Sequence, residues 1–207
     1  MAEEYHLHGL SYSLVLFALQ GTFVSMTRII LITITLMVSF SAHSQETTVK
    51  KLNAGVELDV LPYITGGYFA AAWVGKDHIR VRTLTANVNK PDLFVKEGFT
   101  NNKVTAYALL GDYFLKEGWK GWWTGTGVVY WKSSIQTDAK LSTAHFENWF
   151  LNGSLGYNFK LGRKFYVGPW AGLHIKIAGD KNVPVDNKTY TPPLFNPEAS
   201  VKLGAYF

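Results

Sequence analysis

The sequence contains no cysteine, which excludes disulfides, thiol catalysis and cysteine-ligated zinc. Charged residues are also scarce: they make up 17% of the chain, against about 25% in soluble domains. The net charge is +5, but the lysines and arginines are scattered along the chain, a pattern that does not favour nucleic-acid binding. Mean hydropathy is +0.03, which is too polar for a bundle of membrane helices.

Aromatic residues and glycine are abundant, at 15% of the chain and 19 residues respectively. A chain that is rich in both, yet neutral in mean hydropathy, is typical of strands that alternate between lipid and a polar interior. The 207 residues leave room for one domain of this kind and a leader.

Residues 26–44 have the three parts of an export signal. Arg28 supplies a positive charge, residues 29–40 form an apolar core, and residues 42–44 fit the small-x-small pattern that precedes a cleavage site. We therefore predict a signal peptide over 26–44 and a mature chain that begins at Gln45.

Residues 1–25 would place this signal inside the chain. We interpret them as an N-terminal extension from a misassigned start codon, with translation beginning at Met26. The alternative is an uncleaved membrane anchor that covers both apolar runs, 14–19 and 29–40.

Residues 45–207 show no sustained helical periodicity, and β-rich runs alternate there with turn signals. We predict one all-β domain over 45–207, a closed antiparallel up-and-down transmembrane β-barrel of eight strands. The predicted strands are 54–62, 68–75, 79–88, 103–114, 121–135, 148–161, 165–178 and 199–207.

The run over 165–178 shows the strand pattern most clearly. Its odd-numbered positions are apolar throughout, whereas its even-numbered positions are polar, small or amphipathic, as expected when side chains alternate between two faces. The turn over 162–164 also predicts a register with the preceding strand. The expected partners are Leu161 with Phe165, Lys160 with Tyr166, and Asn152 with His174.

The connections between the predicted strands alternate in length. Short turns on one side and longer loops on the other are typical of outer-membrane barrels, and an even strand number places both chain ends on the turn side. The first connection, near residues 63–67, is short and departs from this alternation. A soluble barrel of lipocalin type is the alternative, and it would turn the apolar strand faces inward.

Aromatic residues stand where belts at the two membrane surfaces are expected. Trp131 and Trp149 fall near the ends of long loops. Those near the turns are Trp122 or Trp123, Tyr157, Phe159, Phe165 and Phe207.

The last nine residues, ASVKLGAYF, end in an aromatic side chain, and Val201, Leu203, Ala205 and Phe207 share their outward face. With these residues and its strand layout, the chain resembles the small eight-stranded outer-membrane proteins, such as the OmpA transmembrane domain and the OmpW-like group. The resemblance implies a bacterial outer-membrane location, contact with lipid, and Phe207 as the signal read by the barrel assembly machinery. Ala205 departs from the family pattern, which has a larger apolar residue there.

Eight strands enclose an interior that side chains just fill, or that holds one small ligand. The side chains expected to form a polar network there are Glu57, Asp59, Arg80, Arg82, Asn152, His174, Lys176 and Lys202. Because buried charges are costly unless paired, we expect Glu57 or Asp59 to pair with Lys202 or with an arginine. We interpret the network as space-filling; a narrow conduit or a ligand site is the alternative.

No catalytic, cofactor-binding or metal-binding residue is predicted. Ser154 and His174 lie on adjoining strands, but no carboxylate there completes a hydrolase triad. The hypothesis is therefore a non-enzymatic outer-membrane barrel with a structural role or a surface ligand at its long loops, including the proline-containing loop near 179–198. A lipid-modifying enzyme and a narrow pore or small-ligand carrier remain alternatives.

Overall fold

The computed structural model describes residues 52–207, and these form an eight-stranded antiparallel sheet arranged in a ring. The all-β prediction is thereby confirmed. The predicted extension (1–25) and signal peptide (26–44) lie outside the described residues, as do the first residues of the predicted domain. Within 52–207, no helix is long and apolar enough to cross a membrane.

The strands follow one another around the ring in the order β1-β10-β7-β6-β5-β4-β3-β2. The ring strands are β1 (Asn53–Asp59), β2 (Tyr68–Lys76), β3 (Ile79–Asn89), β4 (Phe99–Phe114), β5 (Gly121–Thr137), β6 (Ala144–Leu161), β7 (Phe165–Gly179) and β10 (Phe195–Tyr206). The connections contain α1 (Val60–Ile64), a 3-10 turn (Asp92–Phe94), and a separate hairpin of β8 (Val183–Val185) and β9 (Lys188–Tyr190).

The register of β6 against β7 is the predicted one. Leu161 pairs with Phe165, Lys160 with Tyr166, and Asn152 with His174. The turn over 162–164 sets this alignment, which holds until a bulge at Trp149 and Phe150.

The predicted orientation of β7 is also confirmed. Phe165 is 60% exposed on the outer face, whereas Tyr166, the next residue, is 1% exposed inside the ring. Leu173 and Ile175 likewise face outward, and His174 between them is buried. The apolar side chains of this strand therefore cover the outside of the ring, unlike those of a lipocalin-type barrel.

Three connections in the described chain meet at one end of the ring, which we call the turn end: 77–78, 115–120 and 162–164. The opposite end, the loop end, carries the connections 60–67, 90–98, 138–143 and 180–194. The first of these is longer than predicted, so it fits the alternation of short turns and long loops.

The predicted first strand, 54–62, is wrong beyond Asp59. The Asp59 side chain accepts a hydrogen bond from the Leu61 backbone N–H at 3.2 Å and caps α1. Pro62 has no N–H to offer to a strand ladder. The chain therefore turns into a short helix at this point.

The strands β4 to β7 have 15 to 18 residues each, whereas β1 has seven. β4, β6 and β10 all begin about four residues before the positions predicted from the sequence. As a result, residues 195–201 of β10 extend beyond the end of β1 at the loop end. Helix α1 lies there instead, and its Leu61 N–H donates to Ser200 Oγ at 3.3 Å.

Candidate functional site

Four charged side chains form a closed group inside the turn-end half of the ring. This ionic cluster consists of Glu57 on β1, Arg80 and Arg82 on β3, and Asp112 on β4. Arg80 lies 2.7 Å from Glu57 and 2.7 Å from Asp112, and Arg82 lies 3.1 Å from each carboxylate. Each guanidinium thus bridges both carboxylates, and all four residues are almost completely buried.

Strand pairing brings the members of the ionic cluster together. Arg80 pairs directly with Asp112 across β3 and β4, and Arg82 lies two residues further along the same inward face. A charge in this position is tolerated only when its partners are present, because an uncompensated buried charge is strongly destabilising.

Aromatic rings surround the Arg80 guanidinium. Its Cζ lies 5.3 Å from the centre of the Trp73 ring, 5.0 Å from Phe114 and 5.7 Å from Trp123. These distances are in the range of cation–π contacts. The rings also separate the ionic cluster from the turn end, since Trp119 packs beside Trp73 and Phe114.

Tyr166 extends the hydrogen bonding of the ionic cluster to β7. Its hydroxyl donates to Glu57 at 2.7 Å and accepts a hydrogen bond from Trp73 Nε1 at 3.1 Å. Tyr166 lies directly over Gly204 of β10, where any side chain would collide with its ring. The glycine therefore provides the space that the tyrosine occupies.

Asp59 and Lys202 face each other across β1 and β10, but no ion pair joins them among the described residues. Asp59 instead accepts from Trp170 Nε1 at 2.6 Å and hydrogen-bonds to Ser200. Lys202 Nζ lies over the Trp170 ring, 4.1 Å from its centre, and over Trp123 at 5.0 Å. Of the pairings predicted from the sequence, the structure therefore shows that of Glu57 with the arginines and not one with Lys202.

Asn152 and His174 belong to a second polar group, nearer the loop end. Asn152 Nδ2 lies 3.4 Å from His174 Nδ1, and His174 Nε2 lies 3.1 Å from Glu198. Ser154 donates to the Gly125 carbonyl at 3.4 Å rather than to the histidine. The geometry therefore does not assemble the serine hydrolase triad considered from the sequence.

Lys176 does not reach either polar group. Its amine donates to the carbonyls of Asp180 and Pro192, at 3.3 and 3.1 Å. β7 extends beyond β10 at this point, so the side chain contacts loop residues instead of the interior. The single polar network predicted from the sequence is therefore divided among four places: the ionic cluster, Asp59 and Lys202 beside Trp170, the group of Asn152 and His174, and Lys176.

Sequence reasoning missed Asp112, Tyr166 and Glu198. Both faces of the 103–114 run are largely apolar, which hides the alternation, yet a carboxylate at Asp112 would be costly on a lipid-facing wall. Glu198 lies one residue before the predicted start of the last strand. Its inward position follows from the same parity as Lys202.

The middle of the ring is filled by apolar side chains. The members of this apolar cluster are Phe69, Ala71, Ala86, Val104, Ala106, Ala108, Leu110, Val129, Trp131 and Phe150. Trp131, which was expected in an outer aromatic belt, is one of them, and Trp123 lies beside the ionic cluster. A cavity of about 10 Å³ remains between this cluster and the mouth, enough for about one water molecule.

The β8–β9 hairpin covers the mouth at the loop end. Its buried side chains pack on residues of β4, β5 and β6, and the group consists of Phe99, Ile135, Phe146, Val183, Val185 and Tyr190. Asp186, at the hairpin turn, accepts hydrogen bonds from Ser142 at 2.5 Å and from Thr137. These two bonds hold the pKa of Asp186 below its usual value.

The outer wall of the ring is apolar between its two ends. On β6, the outward positions from Trp149 to Phe159 are occupied by apolar residues, glycine or tyrosine. The outward hydroxyls of Thr124 and Thr126 on β5 donate to strand carbonyls at 3.1 and 2.9 Å. The hydroxyls of these two threonines are therefore satisfied without water.

Fold and interior together define a small antiparallel β-barrel with an apolar outside and a buried ionic interior. Within residues 52–207, no group of three or more histidine, aspartate or glutamate side chains is arranged to hold a metal ion. No family model matches the sequence, and no curated protein matches it significantly.

A search of solved structures finds the crystal structure of neisserial surface protein A. The match has a TM-score of 0.43 and 8% sequence identity, and covers 75% of this chain and 92% of that protein.

Proposed function

We propose that this chain is a bacterial outer-membrane β-barrel that acts through its loop end and not through its lumen. The observation that carries the proposal is the inverted distribution of side chains. Val128, Leu151 and Leu203 are exposed on the outer wall, whereas Glu57 and Arg80 are buried inside. A protein in water would gain by the opposite arrangement, but one in lipid would not.

The height of the apolar wall supports a membrane-spanning role. Trp149 and Phe159 lie ten residues apart on the outer face of β6. At about 3.3 Å per residue they are about 33 Å apart along the strand. The usual strand tilt of about 40° reduces this to about 25 Å across the membrane, which matches the apolar band of such barrels.

A filled lumen favours a role at the surface over conduction. The ionic cluster, its aromatic neighbours and the apolar cluster occupy successive levels of the interior, and the hairpin covers the mouth. At the loop end, by contrast, Leu93, Phe94 and Leu141 are 88%, 76% and 81% exposed. Leu93 and Phe94 are adjacent in the chain, and exposed apolar patches mark contact sites for partners.

The cysteine-free chain allows a direct test of location and orientation. Single cysteines replace Leu141 at the loop end and Lys164 at the turn end, and intact cells are treated with a membrane-impermeant maleimide. We expect labelling of Leu141→Cys in intact cells, and of Lys164→Cys only after lysis. Labelling of both variants, or recovery of the protein in a soluble fraction, would contradict the proposal.

Planar bilayer recording tests the role of the lumen. Because side chains fill the interior, we expect the folded protein to insert without measurable conductance. Steady single-channel currents from the wild-type protein would instead favour the narrow pore.

Phe207 follows β10, and its N–H donates to the Ala54 carbonyl at 2.9 Å. Its role as an assembly signal is part of the same proposal.

A further inference from the structure

Charge is distributed unevenly over the barrel. The fully buried charges are balanced, with three basic and three acidic side chains among the described residues, while the partly buried Glu198 is counted with the loop end. They are Arg80, Arg82 and Lys202 on one side and Glu57, Asp59 and Asp112 on the other. The positive charge of the described chain therefore belongs to its two ends.

The turn end holds most of that charge. Within 52–207 it has six basic and two acidic residues, a net charge of +4, whereas the loop end has eight basic and seven acidic residues, a net charge of +1. The basic residues of the turn end are Lys76, Lys116, Lys120, Lys160, Arg163 and Lys164. All six are exposed, so each can reach a partner outside the barrel.

All three turns contribute to this basic surface, and contacts tie turns to the strand ends beside them. Lys164 accepts a hydrogen bond at its carbonyl from the Tyr206 N–H at 2.9 Å. Lys160 Nζ lies 5.5 Å from the centre of the Tyr206 ring. The Phe114 N–H donates to the His78 carbonyl at 2.7 Å. The basic residues thus form a ring on the rim of the barrel and not a tail.

Exposed aromatic side chains lie next to this ring on the outer wall. Tyr113, Trp122, Phe159 and Phe165 all face outward within a few residues of a turn. Such rings favour the headgroup level of a membrane. Lysine and arginine have long apolar stems and extend their charges from this level toward phosphates.

We propose that the turn end is a binding surface for anionic phospholipid headgroups of the leaflet it faces. The proposal rests on the proposed membrane-spanning function. Each lysine or arginine can donate hydrogen bonds to a lipid phosphate, and a net charge of +4 attracts lipids with a net negative charge over zwitterionic ones. Phospholipid is favoured over a soluble acidic polymer because the charges adjoin the apolar wall.

The test compares spin-labelled phosphatidylglycerol with spin-labelled phosphatidylcholine around the protein in phosphatidylcholine vesicles. We expect the wild-type protein to hold phosphatidylglycerol at least about threefold more strongly. Salt screening should abolish the preference. The variant Lys116→Gln, Lys120→Gln, Arg163→Gln, Lys164→Gln should bring the ratio close to one.

The matched control removes four exposed lysines from the loop end, as Lys96→Gln, Lys103→Gln, Lys140→Gln and Lys181→Gln, and should keep most of the preference. Equal losses in both variants, or a wild-type preference that survives high salt, would overturn the inference. An absence of motionally restricted lipid around the wild type would instead contradict the membrane-spanning function itself. Restricted lipid without any headgroup preference would contradict only the present inference.

Discussion

The two halves of the barrel interior are filled by different chemistry. At the turn end, the ionic cluster and its aromatic neighbours form a network of salt bridges, hydrogen bonds and cation–π contacts. These contacts are directional, so each side chain needs a particular partner. Towards the loop end, the apolar cluster is composed of side chains such as Leu110 and Val129, which pack without preferred partners. The outer wall is apolar over both halves, so the difference lies wholly inside.

This difference indicates which part of the interior fixes the register of the ring. Apolar packing tolerates exchanges between similar side chains, but the ionic cluster requires Glu57 to meet both arginines. A slip of one residue would turn a charged side chain towards lipid, which is very unfavourable. Glu57 is on β1, whose ladder with β10 spans only Gly55–Asp59. We infer that the ionic cluster stabilises this short seam.

The largest expected effect comes from breaking the ionic cluster. Glu57→Ala leaves Arg80 and Arg82 with a single carboxylate between them, so we expect the free energy of unfolding to fall by about 3–5 kcal/mol. Urea unfolding in lipid vesicles measures it. The exposed Glu97→Ala is the control and should change stability by less than about 0.5 kcal/mol. Similar free energies of unfolding for the two variants would show that the ionic cluster fills space without stabilising the fold.

A smaller effect is expected in the apolar half. Val129→Ala removes two methyl-sized groups from the interior, at about 0.8 kcal/mol each plus a cavity term, so we expect a loss of about 2 kcal/mol. The adjacent Val128→Ala alters the outer wall and should cost less, because lipid chains can close over the gap. If Val128→Ala is the more damaging substitution in the same urea titration, the assigned orientation of β5 is wrong.

The smallest effect concerns the hairpin that covers the apolar half. The hydrogen bonds from Ser142 and Thr137 lower the pKa of Asp186, so their stabilisation is complete above the ordinary carboxyl pKa. It is lost as the pH falls through the lowered value. We expect the protection of the Val183 and Val185 amides, measured as the exchange rate relative to the intrinsic rate at each pH, to fall only in strongly acidic buffer.

The amide variant Asp186→Asn provides the control for this pH dependence. It should exchange faster than the wild type at neutral pH and show little further change on acidification. A wild-type hairpin whose protection already fails near pH 6 would show that a different group controls it. Strand amides in the ring serve as the internal reference.

Much of the fold followed from local pattern. Alternation with period two predicted the faces of β6 and β7, and the short turn over 162–164 predicted their register. The strand ends were less accurate, because the extra residues of β4, β6 and β10 at the loop end depend on packing against the hairpin and loops. The end of β1 depended on the cap by Asp59, which alternation does not reveal.

The candidate site was predicted in composition but not in arrangement. Parity placed Glu57, Arg80 and Arg82 inside, and the cost of burying charge predicted a carboxylate–arginine pair. Parity does not show which inward residues lie at the same level of a ring. For this reason the predicted network included His174 and Lys202, which lie outside the ionic cluster. Asp112 escaped notice because its run is apolar on both faces.

Local alternation was enough to assign the outward side chains of the clearest strands, since a two-residue period is a local property of the backbone. Three features emerged only from the folded ring: which of the inward charges meet, the inward position of Trp123 and Trp131, and the hairpin over the mouth. These features depend on the relative stagger of strands that are distant in sequence. The stagger is fixed when the ring forms, and local alternation does not determine it.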